Sequence, residues 1–246
     1  MKLIKLSIAA VALLSASMVQ AMPTPFPGPN DFGYVGSEID FNLRNIRTSG
    51  TELSLSDDSV SGLINFGFTF DFYGIPYTGA YISSNGFLSL SNPSSSGCCT
   101  GQVLGDEAGL DNLIAGLWED LDPPEGGTLR YQTIGDEFIV GFYAIQHWPG
   151  GSPVTFEMIL NGATNDIEFH YDSLQNDGGI HTLGITNIGD SDDLTLYRGR
   201  NINQFADEGY LISAPTSGGP IPEPSALALF GLGILSLAFV RRRTKV

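Results

Sequence analysis

Phe66-Gly67-Phe68-Thr69-Phe70-Asp71-Phe72-Tyr73-Gly74 is the stretch that decides the fold. A phenylalanine stands at every second position from Phe66 to Phe72. In an extended strand successive side chains point to opposite faces, so the four rings share one face. Such an aromatic face has to pack against a core. On a helix the same spacing scatters the rings and forms no stripe. Outward from here the same vocabulary recurs. Short apolar runs rich in Phe, Tyr, Ile and Val are separated by Gly, Ser, Asn and Asp, and no long helical stripe appears. About a dozen short strands can be read this way. The expected fold is all-β, a single β-sandwich with jelly-roll-like or Greek-key connections. The stretch between the chain termini is of a size that one such domain accommodates, and it contains no internal repeat of solenoid length.

Individual strands follow from local pattern. Residues 22–36 are Pro-rich and expected to be irregular, and a first strand is expected in 39–46. Residues 49–61 are polar and turn-rich, and Ile75-Pro76-Tyr77 is expected to turn the chain. Tyr81-Ile82-Ser83-Ser84-Asn85-Gly86-Phe87-Leu88-Ser89-Leu90 follows, with Asn85-Gly86 as either a two-residue hairpin turn or a bulge. Strands at 127–134 and 137–148 flank the turn Gly135-Asp136. The run from Phe138 to Ile145 is almost wholly apolar, which places it in the middle of a sheet with both faces covered. Arg130, on the neighbouring strand, is expected to pair with a carboxylate. Residues 154–161 and 166–172 read as a hairpin. Asn161 opposite Asp166 pairs Leu160 with Ile167, Met158 with Phe169 and Phe156 with Tyr171 on the inner face. Glu157 then faces His170 on the other side, as a surface contact between strands. Further strands are expected at 181–187 and 194–197.

The two ends of the chain carry targeting patterns. Lys2 and Lys5 precede an apolar stretch at 6–19, and Val19-Gln20-Ala21 fits a small-x-small cleavage site. Residues 1–21 therefore read as a secretory signal peptide, forming a helix and cut after Ala21. A β-sandwich domain at 22–214 is followed by a flexible linker at 215–221. Then come Pro222-Glu223-Pro224, an uncharged apolar run at 225–240, and Arg241-Arg242-Arg243. A spanning helix needs about 20 residues. Ile221 and the aliphatic stems of the arginines extend this run at its two ends. The basic cluster then marks the cytoplasmic side, with the N-terminus outside.

Residues 222–246 closely resemble the PEP-CTERM sorting signal, through Pro222-Glu223-Pro224, the apolar segment and the terminal arginines. The resemblance implies a temporary inner-membrane anchor, recognised and cleaved by an exosortase, on an exported protein of a Gram-negative, exopolysaccharide-producing bacterium. A second resemblance lies in the core. It is carried by Gly67-Phe68-x-Phe70-x-Phe72-Tyr73-Gly74, by Ser83-Ser84-Asn85-Gly86-Phe87-Leu88, and by Ile114-Ala115-Gly116-Leu117-Trp118-Glu119-Asp120-Leu121. This series is similar to NIDO-like extracellular domains, and implies an interaction or structural module without catalysis.

Charge and chemistry bound the function further. Residues 22–219 contain five arginines, no lysine and 26 of the 27 acidic residues, a formal charge of −21 against −16 for the whole chain. Such a surface repels nucleic acid. The first reading of its acidic turns is a solvated surface with no cofactor; the alternative is Ca²⁺ at Asp190, Asp192 and Asp193, with Glu119, Asp120, Asp122 and Glu125 as a second cluster. Cys98 and Cys99 are the only cysteines. Outside the cell a vicinal disulfide is the first expectation, with free thiols or a link to a second chain as alternatives. No nucleophile elbow, zinc-protease motif, P-loop or dinucleotide fingerprint occurs, so no catalytic residue is assigned. His147, His170 and His181 show no ligand spacing. The expectation is a non-catalytic exported surface or matrix protein, associated with biofilm or exopolysaccharide and partnered by an exosortase and extracellular polysaccharide. The alternative is a Ca²⁺-dependent carbohydrate-binding module.

Overall fold

The computed structural model describes Phe26 and residues 28–215. The signal peptide with Ala21, almost all of the linker, the Pro222-Glu223-Pro224 motif, the apolar segment and the terminal arginines lie outside the described residues. No helix among the described residues is long and apolar enough to cross a membrane.

The described chain is a β-sandwich of two antiparallel sheets. The strands are β1 (Val35–Ile39), β2 (Thr51–Glu52), β3 (Ile64–Phe72), β4 (Ile75–Ile82), β5 (Phe87–Ser89), β6 (Leu113–Trp118), β7 (Leu121–Asp122), β8 (Thr128–Ile134), β9 (Glu137–His147), β10 (Val154–Asn161), β11 (Ile167–Leu174), β12 (His181–Thr186), β13 (Asp193–Gly199) and β14 (Glu208–Ser213). One sheet runs β1-β14-β11-β10-β9-β8-β2, with β7 paired to β9; the other runs β13-β12-β6-β5-β4-β3. The chain changes sheet after β2, β6, β11 and β13, so both sheets are interleaved from distant segments.

The phenylalanine run forms β3. Phe66, Phe70 and Phe72 are fully buried and Phe68 is half-buried against the same core. Phe66 meets Phe138 of the facing sheet at 4.8 Å between ring centroids, and Phe142 stacks on Phe156 at 4.6 Å. Each such ring removes about 150–250 Å² from water, so these aromatics dominate the core. The β10–β11 register agrees with the sequence: Leu160 lies opposite Ile167, Met158 opposite Phe169 and Phe156 opposite Tyr171. β9 is buried on both faces from Phe138 to Tyr143. Arg130 pairs with Glu52 at 2.6 Å.

Three local expectations need correction. The first strand ends at Ile39, where the sequence reading starts it. The apolar residues beyond it serve as a strap: Leu43 and Ile46 pack on Ile139, Tyr143 and Ile159, on the outer face of the first sheet. The turn after β3 is made by Tyr73-Gly74, and Ile75-Pro76-Tyr77 already belong to β4. Pro76 is tolerated there because β5 pairs with β4 at Tyr81 and Ile82, so among the described strands the stretch around Pro76 is paired on the β3 side alone. Third, Glu157 does face His170 across β10 and β11, yet both are fully buried. The strap covers them and satisfies them. Glu157 accepts the Arg44 N–H at 2.7 Å and the Tyr143 hydroxyl, while Asn42 N–H donates to His170 Nδ1 at 3.2 Å. His170 Nε2–H then donates to Glu168 at 2.8 Å, which fixes the neutral tautomer. The Glu168 carboxyl is held below its usual range by this bond and by Arg44.

Candidate functional site

One end of the sandwich gathers most of the chemistry. The tip of β6 and the start of β12 lie side by side in one sheet, with Trp118 opposite Thr182. The tip of β9 arrives from the other sheet, where Leu121 of β7 pairs with His147. The turn between β4 and β5 locks these pieces together. Ser83 N–H donates to the Phe87 carbonyl at 3.0 Å, so Ser84-Asn85-Gly86 is a three-residue turn of a hairpin. The Gly86 carbonyl accepts from Gly116 and Leu117, and Asn85 accepts the backbone N–H of Glu119 at 3.3 Å. Asn85 Oδ1 takes the Leu121 N–H at 3.0 Å. Gly86 sits at φ +79°, and a Cβ there would collide with the Leu117 carbonyl. Two of the sequence stretches behind the NIDO resemblance therefore meet face to face.

Above this junction lies a cleft of about 470 Å³ lined by Asp57, Asp58, Cys98, Cys99, Glu119, Asp120, Trp148, Asp177 and Gly179. Trp118 Nε1–H donates to the Gly97 carbonyl at 2.8 Å and so brings Cys98 and Cys99 to the rim. The two cysteine sulfurs are bonded to each other. Trp148 is 55% exposed, unusual for the largest aromatic side chain. Beneath the cleft Glu119, His147 and His181 are buried together. Burial pushes the Glu119 carboxyl up to about 8, with the charge of Asp177 adding to it. Asp120 is raised to about 6 by burial and then by Asp58 and Asp57. Burial lowers His147, and burial plus repulsion from His147 lowers His181 to about 4. All four groups are thus shifted toward their uncharged forms. Perturbed groups of this kind, gathered in a cleft, mark functional sites.

The acidic turn after β12 is arranged differently. Asp192 accepts the backbone N–H groups of Asp31 and Phe32 at 3.2 and 2.8 Å, Asp193 accepts from Thr195 at 2.9 Å, and Asp190 from Thr186 at 3.4 Å. Their carboxylates are used as local clamps, and they are not among the described groups whose ligand atoms converge. The second acidic cluster divides: Glu119 and Asp120 belong to the cleft, Asp122 is buried on β7 and Glu125 is exposed. His147 and His181 were not paired by sequence reasoning. They come from different sheets, and no local spacing signals the meeting. The Trp118-Glu119-Asp120-Leu121 stretch was the one usable pointer to this end of the molecule.

Fold and cleft together define the class: a β-sandwich module with a polar, carboxylate-rich cleft at one end. The chain belongs to the NIDO-related family, whose model matches residues 34–217. The PEP-CTERM protein-sorting motif matches residues 220–243, which include Pro222, Glu223, Pro224 and Arg241–Arg243. That motif implies an exported, cell-surface or extracellular protein processed by an exosortase. Both families are non-catalytic in kind. No curated protein and no solved structure matches the chain.

Proposed function

We propose that this is a non-catalytic surface or matrix protein whose β-sandwich binds extracellular polysaccharide in the cleft beside Trp148. Before processing, the apolar segment 225–240 holds it transiently in the inner membrane with its N-terminus outside. The observation that carries the binding role is Trp148, largely exposed on the rim of a cleft that it shares with five carboxylates, the Cys98–Cys99 pair and Gly179. An indole face supplies apolar area for the C–H face of a sugar ring, and a few polar groups fix orientation. Asp57, Asp58, Asp120 and Asp177 accept hydrogen bonds from hydroxyl or ammonium groups and repel carboxylates. The ligand class is therefore a neutral or amino-sugar polymer, in preference to a polyuronate.

The calcium-dependent alternative draws on the same cleft. Asp57, Asp58 and Asp120 bring three carboxylate oxygens within 4.8 Å of one another, the hard donors Ca²⁺ takes. Calorimetric titration of the protein with neutral, amino-sugar and uronate oligosaccharides, with Ca²⁺ and then with a chelator, separates the two readings. Trp148→Ala is expected to weaken binding at least about tenfold, some 1.4 kcal/mol. Sugar binding that survives chelation removes the calcium dependence. Absence of heat with every sugar, or unchanged affinity in Trp148→Ala, removes the cleft as the binding site.

A further inference from the structure

Beneath the sugar-facing walls three buried side chains converge, and one oxygen among them has no protein partner. His147 Nε2 and His181 Nε2 are 3.0 Å apart. His147 Nδ1–H donates to the Ser152 carbonyl at 2.6 Å, so the neutral imidazole presents its Nε2 lone pair to His181. Glu119 is 2% exposed, and its Oε2 has no hydrogen-bond partner. One ligand atom from each of the three lies within 4.8 Å of the other two. Asp177 Oδ1 stands 3.6 Å from His181 Nε2.

We propose that Glu119, His147 and His181 bind a divalent transition-metal ion of the zinc class, with Asp177 or water completing its coordination. The reasons are geometric and chemical. Two nitrogens bound to one zinc ion at about 2.0–2.1 Å lie about 3.3–3.4 Å apart at the tetrahedral angle and about 2.8–3.0 Å apart at a right angle. The observed separation of 3.0 Å needs a few tenths of an ångström of opening to reach the tetrahedral spacing. Two imidazoles with one carboxylate form a set suited to Zn²⁺ or its first-row neighbours, whereas Ca²⁺ and Mg²⁺ take oxygen. The bond from His147 Nδ1 to a backbone carbonyl is the outer support that metal-ligating histidines ordinarily have.

The donors also sit on firm supports. His147 ends β9, His181 begins β12, and Glu119 follows β6. Gly179 leaves room for the acid, since a Cβ there would collide with Glu119 Oε1 and approach Asp177 Oδ2 to 2.9 Å. The cleft opens onto Glu119 and Asp177, which provides an entry path. This site is distinct from the all-oxygen group Asp57, Asp58 and Asp120 near the rim.

The test uses the full-length chain in detergent, stripped of metal with a chelator, and titrated with Co²⁺ as a spectroscopic probe and Zn²⁺ as competitor. The expected result is one Co²⁺ per chain with visible ligand-field bands of a histidine-containing site. Zn²⁺ displaces it and raises the unfolding midpoint. His181→Gln and Glu119→Gln each lower affinity at least tenfold, while Asp57→Asn leaves it unchanged. Circular dichroism of the metal-free variants reports that they are folded. Failure of the wild-type chain to take up either ion at micromolar concentration overturns the proposal. So does full affinity retained by both ligand variants, or its loss in Asp57→Asn alone. Sugar binding is read separately by calorimetry, so failure of one assay leaves the other interpretable.

Discussion

Gly86 carries a structural role out of proportion to its size. Its carbonyl ties the β4–β5 turn to Gly116 and Leu117, and its positive φ leaves no room for a side chain beside the Leu117 carbonyl. The collision is with backbone, which cannot swing aside as a side-chain tip can. Gly86→Ala is therefore expected to cost more than about 2 kcal/mol in urea unfolding, and to loosen the cleft floor. Gly135, at φ +61° with open space around it, is the control. Gly135→Ala bears only the strain of a left-handed residue, about 1 kcal/mol. Equal losses at the two positions would show that steric contact with Leu117 is not what fixes Gly86.

At the level of elements, the strap at 40–46 turns a surface into an interior. It converts the outer face of β9, β10 and β11 into a buried polar layer around Glu157 and His170. Glu157 accepts from the Arg44 and Ile46 N–H groups and from the Tyr143 hydroxyl. Glu157→Ala strands these donors, and each unsatisfied buried donor costs about 1–3 kcal/mol. Partial rescue by water leaves an expected loss of about 2–4 kcal/mol. Hydrogen exchange should quicken first at the Arg44 and Ile46 amides. Exchange that quickens equally across β10 would mean the whole sheet, and not the strap, depends on this residue. The hairpin itself was legible from sequence, because burial of Phe156, Met158 and Leu160 admits one register. What covers its outer face was not, since a two-sided burial of Glu157 needs a segment more than a hundred residues away in the chain. The same limit hid the His147–His181 pair. Alternation within a strand reports which face a residue takes, and says nothing about which distant strand tip arrives opposite.

The charge of the whole molecule has to be read with its arginines in place. Among the described residues all five are engaged. Arg44 pairs with Glu137 and Glu168, Arg130 with Glu52, and Arg47 lies 4.8 Å above the Tyr143 ring. Arg198 and Arg200 donate to the carbonyls of Gly101 and Gly178. A domain with formal charge −21 and its cations tied down has little to offer a polyanion. It also has little affinity for the acidic surface of a membrane. Under the proposed transient anchoring, retention at a membrane would fall to the apolar run at 225–240, within the matched sorting motif at 220–243. If processing at that motif is what frees the domain, replacing Pro222, Glu223 and Pro224 with alanine should leave full-length chain in the membrane fraction. The described strands all lie between Val35 and Ser213, so the retained protein is expected to unfold cooperatively and bind the same sugars. Fractionation with antibody against the domain reads the first point, and calorimetry reads the second. Release of the triple variant at the normal rate would place the sorting information elsewhere in the tail, with the arginines at 241–243 the next residues to change.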